Sequence, residues 1–471
     1  MRLRRWQNAC IDSSLKQYLN GQSHFLVLAT PGSGKTLMAS VLSNHLLKND
    51  LVDLIFCFSP SSIVSMDFAE CLQLRSNERF DGLIGSKGRA YTYQHLQYLD
   101  GAFWELFEKY RVFVIFDEIH HCAGSTVDNA NSWGEHIILN IQNKARFTMA
   151  LTGTPWRSDT APIVFASYAS PDGEISCDYV YGLHEAILDG VCRVPQIIAI
   201  DNNHISVIES NETVVFESFD DLLSNSQVAY QDVIENEDVI KHIITSASKK
   251  LDFIRLENSN AAGLIVASSI EQANRISTFV KKWLEEEAVV ATYKENDPTA
   301  IIQRFRHSES KWIISVGMIS EGTNIPRLQV CCYLSNIKTE MYFRQTLGRI
   351  LRVTDTTNQE AILYMPAEPK LLEYAYRVRH DVPVEADVVK FETMQSLLVG
   401  DETNSQNKTI SLKGPSIDLS GNEIKLNDFN ENIDSLFDED FLSTSYDQVM
   451  NIFGRFKQET IGLGLGLGEL K

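Results

Sequence analysis

The sequence predicts an α/β protein of two tandem parallel-sheet units, with a small insertion between them and an acidic C-terminal tail. Three observations lead there. Short apolar runs alternate with helix-spaced segments through residues 1–178. Acidic and polar residues break the alternation over 179–257, and it resumes over 258–399. Strand–helix alternation of this kind indicates a parallel sheet covered by helices on both faces. A chain of 471 residues is too long for one ordinary domain, and 44% apolar residues is a globular composition.

The elements follow in order. FLVLAT (Phe25–Thr30) reads as a buried strand, and LMASVLSNHLLKN after its glycine-rich turn has helical spacing. DLIFCFS, VFVIFDE and FTMALTG supply further strands of the first unit. Stretches such as ESNETVVFESFDD and NEDVIKHI make 179–257 a linker plus a small insertion of strand and helix. The second unit draws strands from AGLIVASS, AVVATY, KWIISVG, VCCYLS and AILYMP. Over 400–471, Asp, Asn, Ser and Glu dominate, interrupted by the apolar residues of NIDSLFDEDFLSTSYDQVMNIFGRF. Such a tail suits a protein partner bound by a segment that folds on contact, an autoinhibitory strand mimic, or a plain terminal helix or disordered end. The closing GLGLGLG repeat is low in complexity and suggests no mechanism.

A net charge of −20 gives no overall attraction to nucleic acid or anionic lipid, so such binding needs a local basic surface. Eight cysteines without a C-x-x-C pair predict reduced thiols. No signal peptide is visible at the N-terminus, and no apolar run is long enough to cross a bilayer. The expectation is a cytoplasmic protein with no membrane partner.

Two motifs carry the chemistry. ATPGSGKT (Ala29–Thr36) follows a strand and opens a helix. In the turn Pro31–Gly34 the backbone N–H groups of Gly32, Ser33 and Gly34 can surround phosphate oxygens, and the helix N-terminus favours negative charge. Lys35 would reach the outer phosphates and Thr36 would hold Mg²⁺. VIFDEIHHCAG (Val114–Gly124) places Asp117 and Glu118 at the carboxyl end of a buried strand, where ligands bind in doubly wound sheets. Asp117 would complete the Mg²⁺ site with Thr36, and Glu118 would position or deprotonate the attacking water. A structural zinc site is the weaker reading, because His120, His121 and Cys122 are consecutive and their side chains diverge.

With LTGTPWR (Leu151–Arg157), SVGMISEGTNIP (Ser315–Pro326), RQTLGRILR (Arg344–Arg352), LRRWQ (Leu3–Gln7) and AYTYQHL (Ala90–Leu96), these motifs resemble superfamily 2 helicases of the DExD/H-box type. The block from DEIHH to YGLHEAILDGV is similar to helicases of bacteria and their phages. The resemblance spans about Arg2 to Pro366 and implies two RecA-like domains with ATP and Mg²⁺ between them. It implies that Gln7 hydrogen-bonds adenine, with Trp6 packing nearby. His120 would connect the ATP site to the second domain through Gln345, and Thr152 and Thr154 would couple hydrolysis to movement. Arg349 and Arg352 would serve as arginine fingers. Gly322 would lie between nucleotide and nucleic acid.

Backbone contacts to a strand would come from FSPSSIV, GSKGRAYTYQ and SEGTNIPR, with Lys87, Arg89 and Arg327 as cations. Such contacts position a strand without reading its sequence. The expected function is an ATP-dependent helicase or translocase, with DNA favoured over RNA. The alternatives are an RNA helicase, or an ATPase motor or switch subunit of a larger complex such as a phage-defence assembly. No N-terminal accessory domain is expected, since the core motifs begin almost at Met1.

Overall fold

The computed structural model describes residues 3–394 apart from 155–160, 170–173, 204, 210–211, 318, 320–322 and 384–386, together with 410–413. Gly322, Trp156, Arg157 and most of the acidic tail therefore lie outside the described residues.

The first unit contains β1 (His24–Ala29), β2 (Leu54–Ser59), β3 (Gly88–Thr92), β4 (Val112–Asp117) and β5 (Phe147–Thr152). A small antiparallel hairpin, β6 (Ser167–Ala169) and β7 (Glu174–Ser176), leads to β8 (Tyr179–Tyr181). The sheet order is β3-β2-β4-β5-β1-β8, and every neighbouring pair is parallel. Both faces of β4 are buried. Phe113 and Ile115 join one apolar cluster, while Val112, Val114 and Phe116 join the other. A parallel sheet clad on both sides requires such continuous apolar runs.

Next come β9 (Pro195–Asp201), the antiparallel pair β10 (Ile205–Glu209) and β11 (Glu212–Phe216), and β12 (Ala262–Ala267). The chain continues through β13 (Ala288–Ala291), β14 (Trp312–Ser315), β15 (Leu328–Leu334), β16 (Ala361–Pro366), β17 (Val389–Thr393) and β18 (Ile410–Lys413). The second sheet runs β13-β14-β12-β15-β16-β9-β17, again all parallel. A third small sheet, β11-β10-β18, stands apart.

The stretch read as linker and insertion is thus divided differently. β8 pairs with β1, and β9 pairs with β16 and β17. Each sheet takes a strand from it, because an edge and a gap were open for pairing. The Glu237–Glu257 helix buries Val239, Ile243, Ala247, Leu251 and Ile254 at helical spacing and packs on the second sheet.

The Glu340–Gly348 helix is capped by the Thr339 hydroxyl, which accepts from the Tyr342 amide. Glu340 ties it to the Pro369–His380 helix through Arg377, and Arg344 reaches Asp381 just beyond that helix. This helix carries Gln345 and delivers the chain to Arg349 and Arg352.

Candidate active site

Parallel register brings the carboxyl ends of β1, β4 and β5 to one edge. Leu28 lies opposite Thr152, and Asp117 opposite Leu151. The loop Thr30–Gly34, the pair Asp117–Glu118 and the turn Thr152–Thr154 therefore converge.

Gly32 and Gly34 have φ of +82° and +95°. Those left-handed conformations suit glycine and let the loop curl into the start of the Lys35–Lys48 helix. Lys35 Nζ donates to Ala29 O at 3.0 Å and sits 3.3 Å from Glu118 Oε1. Glu118 is itself left-handed, at φ 49°, a conformation that costs a non-glycine residue ~1–2 kcal/mol. The turn aims its carboxylate back over the loop, where Oε2 accepts from the Gly153 amide at 3.2 Å. A Cβ on Gly153 would stand 3.0 Å from Lys35 Nζ, so that position is kept bare.

His120 continues the chain of contacts. Gln345 Nε2 lies 3.4 Å from His120 Nε2, and His120 Nδ1 lies 3.0 Å from Thr152 Oγ1. Gln345 donates there, so His120 Nε2 accepts and Nδ1 carries the proton toward Thr152. Thr152 Oγ1 donates to Thr154 O at 2.9 Å and accepts from the Thr154 amide at 3.1 Å. A hydrogen-bonded line thus runs from the second unit to the end of β5. Asp117 is buried beside it, with its carbonyl accepting from Tyr93 Oη at 2.9 Å.

The second unit presses on the phosphate loop. Arg352 covers Gly32, where a Cβ would meet its Cγ at 3.0 Å. Gly348 abuts Pro31 so closely that a Cβ would come within 2.7 Å of the proline Cβ. Arg349 Nη1 donates to Thr323 O at 2.7 Å, and Arg352 Nη1 donates to Asn324 Oδ1. Burial, then the nearby charges of Arg349 and Arg306, push the Arg352 guanidinium down to about 9. Cations crowded in this way favour an anion between them. The buried Ser33 hydroxyl has no hydrogen-bond partner among the described residues. Glycine-formed amides, an unspent hydroxyl and convergent cations fit a polyphosphate, and Thr36 and Asp117 are the oxygen donors suited to Mg²⁺.

Gln7 is engaged at both ends. Its Oε1 accepts from the Arg4 amide at 2.8 Å and its Nε2 donates to Gly34 O at 2.9 Å. Trp6 stacks on Tyr181 at 4.7 Å between ring centroids. Arg4 donates to Ser33 O at 2.6 Å and was not singled out from the sequence, although it stands inside LRRWQ. Asn324 and Gly348, also inside quoted motifs, were missed as contacts.

One expectation is corrected. Arg327 is buried and donates to Phe305 O, Asn260 O and Ser310 O, stitching loops of the second unit. It is not placed to grip a strand. Arg89 is exposed over the Tyr91 ring at 5.0 Å, and Lys87 is partly exposed.

Two family models match separate stretches of the chain. Residues 1–157 match the family described as type III restriction enzyme, res subunit, and residues 244–354 match the helicase conserved C-terminal domain. An uncharacterized protein of Mycobacterium tuberculosis is 31% identical over 392 residues, covering 79% of this chain and 62% of that protein. The chain thus spans less than two thirds of the length of that relative. The DNA 3′-5′ translocase XPB2 of Sulfurisphaera tokodaii is 24% identical over 378 residues, 74% of this chain and 79% of the relative. Among solved structures, a fragment assigned as the HsdR subunit of a type I restriction enzyme from Vibrio vulnificus shares the fold. Its TM-score is 0.57 at 14% identity, covering 83% of this chain and 68% of that one.

Proposed function

We propose that this chain, whose family-model matches mark it as a superfamily 2 DExD/H-box helicase, hydrolyses ATP to move along DNA. The observation that carries this reading is the approach of Arg352, from the second unit, to the phosphate loop of the first, with the Arg349 charge close beside it. DNA is favoured over RNA because a relative named as a DNA translocase aligns over 378 residues.

In this reading the backbone N–H groups of residues 32–36, following Pro31, and Lys35 bind the phosphates, Gln7 binds adenine, and Thr36 and Asp117 hold Mg²⁺. The bound Mg²⁺ would supply charge neutralisation on the phosphates. Lys35 exchanges its contact with Glu118 for a phosphate oxygen. Glu118 is then left to orient water and take its proton, steadied by the Gly153 amide. Arg349 and Arg352 neutralise charge that grows on the transferred group, a contribution worth ~10³–10⁵ in rate for such fingers. Since they stand on the other unit, turnover requires the cleft to close. Gln345, His120 and Thr152 pass closure to the β5 turn, and successive closures shift the two strand-binding surfaces.

The test is steady-state ATP hydrolysis alone and with single-stranded DNA, double-stranded DNA or RNA, using Lys35→Ala as the blank. Stimulation by DNA is expected. Stimulation by RNA alone would replace the track. Lys35-dependent hydrolysis that no nucleic acid alters would refute the motor reading and favour a switch driven by a protein partner.

A further inference from the structure

The peptide joining the two units is bound to the loop that carries the paired arginines. Cys192 forms an isolated antiparallel bridge with Arg352, and the Arg193 amide donates to Leu351 O at 2.7 Å. The Arg193 side chain then runs inward. Its guanidinium donates to Leu328 O at 2.8 Å, Ile350 O at 3.0 Å, and Thr354 Oγ1 and Gln359 Oε1 at 3.1 Å each. Gln359 in turn donates to Thr354 O and Thr356 O. The segment from Ile350 to Gln359 is wrapped around one side chain that is 2% exposed.

Packing alone does not account for an arginine there. Among the described residues no carboxylate lies within ion-pair distance of Arg193. Burial draws its pKa down to about 10, so it remains charged at neutral pH. A buried charge answered only by neutral oxygens carries a desolvation penalty that an apolar side chain would avoid. What the guanidinium adds is a rigid planar fork whose donors fix several acceptors at once. The acceptors here flank both candidate fingers: Ile350 sits between Arg349 and Arg352, and Thr354 follows them. The same strap reaches the first unit, with Cys192 Sγ 3.8 Å from Pro31 O.

We propose that Arg193 is a positioning residue, which sets the Arg349–Arg352 loop against the phosphate loop and links that placement to the joining peptide. The inference rests on the ATPase reading above. It adds a residue outside the motifs, and it assigns the inter-unit peptide a part in turnover.

Arg193→Met and Arg193→Lys are assayed in the full chain for kcat, KM for ATP, affinity for a non-hydrolysable ATP analogue, and thermal unfolding. Each is also combined with Arg352→Ala. In Arg193→Met, kcat should fall about 10- to 100-fold in protein that is folded at the assay temperature. KM and analogue affinity should stay within about threefold, because the phosphate loop belongs to the other unit. Lysine should restore little, since a point charge cannot span four acceptors. The Arg193→Met/Arg352→Ala double variant should be no slower than the slower single variant, as for residues acting as one unit.

Losses that multiply, or a kcat that falls only with the folded fraction, would overturn the proposal. Full activity in Arg349→Ala and Arg352→Ala would show that the finger assignment itself fails, and Arg193 would fall with it. Should Arg193→Met not fold, Gln359→Met removes one acceptor and two loop contacts and carries the same comparison.

Discussion

Gly348→Ala separates stability from activity at the seam between the units. An alanine Cβ at Gly348 would lie 2.7 Å from Pro31 Cβ and 3.0 Å from its Cγ. Carbon atoms in ordinary contact stand ~3.5–4.0 Å apart, so the helix end must withdraw by about 1 Å. Pro31 is a ring fixed in the phosphate loop and cannot swing aside as a flexible side chain would. Within the second unit the change is neutral or favourable, since alanine is up to ~1 kcal/mol better than glycine in a helix. Withdrawal also carries Arg349 and Arg352 away from the phosphate loop, and a 1 Å misplacement in a reacting assembly can cost ~10²-fold. The expected result is a melting temperature equal to or above that of the parent, unchanged binding of an ATP analogue, and turnover reduced by about two orders of magnitude. Melting, analogue binding and steady-state hydrolysis are measured on one preparation. Turnover within about twofold of the parent would refute the idea that this contact sets the fingers.

Glu118→Gln should abolish turnover while still binding ATP, whereas Lys35→Ala should lose both; hydrolysis near the parental rate in Glu118→Gln would remove its assigned role as base. His120→Ala and Gln345→Ala should each lower nucleic-acid-stimulated turnover, and their double variant should be no worse than either. Additive losses would mean that the 3.4 Å contact carries no coupling. Stability should also fall in acid through His24, whose folded-state pKa is pushed down to about 4 by burial, partly opposed by the Asp178 charge. The unfolded chain takes up the proton near 6.5 and the folded chain only near 4, so the stability is present above 6.5 and lost on descending to 4. The loss is roughly 3 kcal/mol at most, read from urea midpoints, and His24→Gln should flatten that part of the profile.

The legible parts of the fold were those with apolar runs buried on both sides. β1, β2, β4 and β5, and later β12, β14, β15 and β16, announce themselves in this way. β3, β8 and β17 do not, because they are edge strands with at least one open side. β17 buries almost none of its residues, so VKFET carries no apolar signature. β9 is apolar, yet its place between β16 and β17 depends on pairing with strands far along the chain. Local pattern does not encode that order. The site divides similarly. Lys35, Asp117 and Glu118 could be singled out because their chemistry follows from position on a strand or loop. The contacts of Gly348 with Pro31, and of Cys192 and Arg193 with the finger loop, depend on how two folded bodies meet. Arg327 shows the converse: a cation in a motif is judged by its partners, and here those are carbonyl oxygens of its own unit.

The seam itself is uneven, and that bears on how such a protein could cycle. Along the joining peptide, Tyr181, Ala186, Val191 and Cys192 belong to a buried apolar cluster that reaches both sheets. Across the nucleotide edge the contacts among the described residues include glycines against a proline and an arginine, a long hydrogen bond between Gln345 and His120, and the Asp67 carboxylate near the charges of Arg306 and Arg352. A hydrogen bond of this kind contributes only ~0.5–1.5 kcal/mol net, whereas each large apolar side chain kept buried is worth ~1.5–3 kcal/mol. Opening is therefore opposed weakly on the nucleotide side and strongly along the strap. In the reading proposed above, a cleft built this way would turn about its joining peptide. Binding energy at the phosphate loop would then govern closure, with the guanidinium of Arg193 beside the turning point and next to the arginines assigned as fingers.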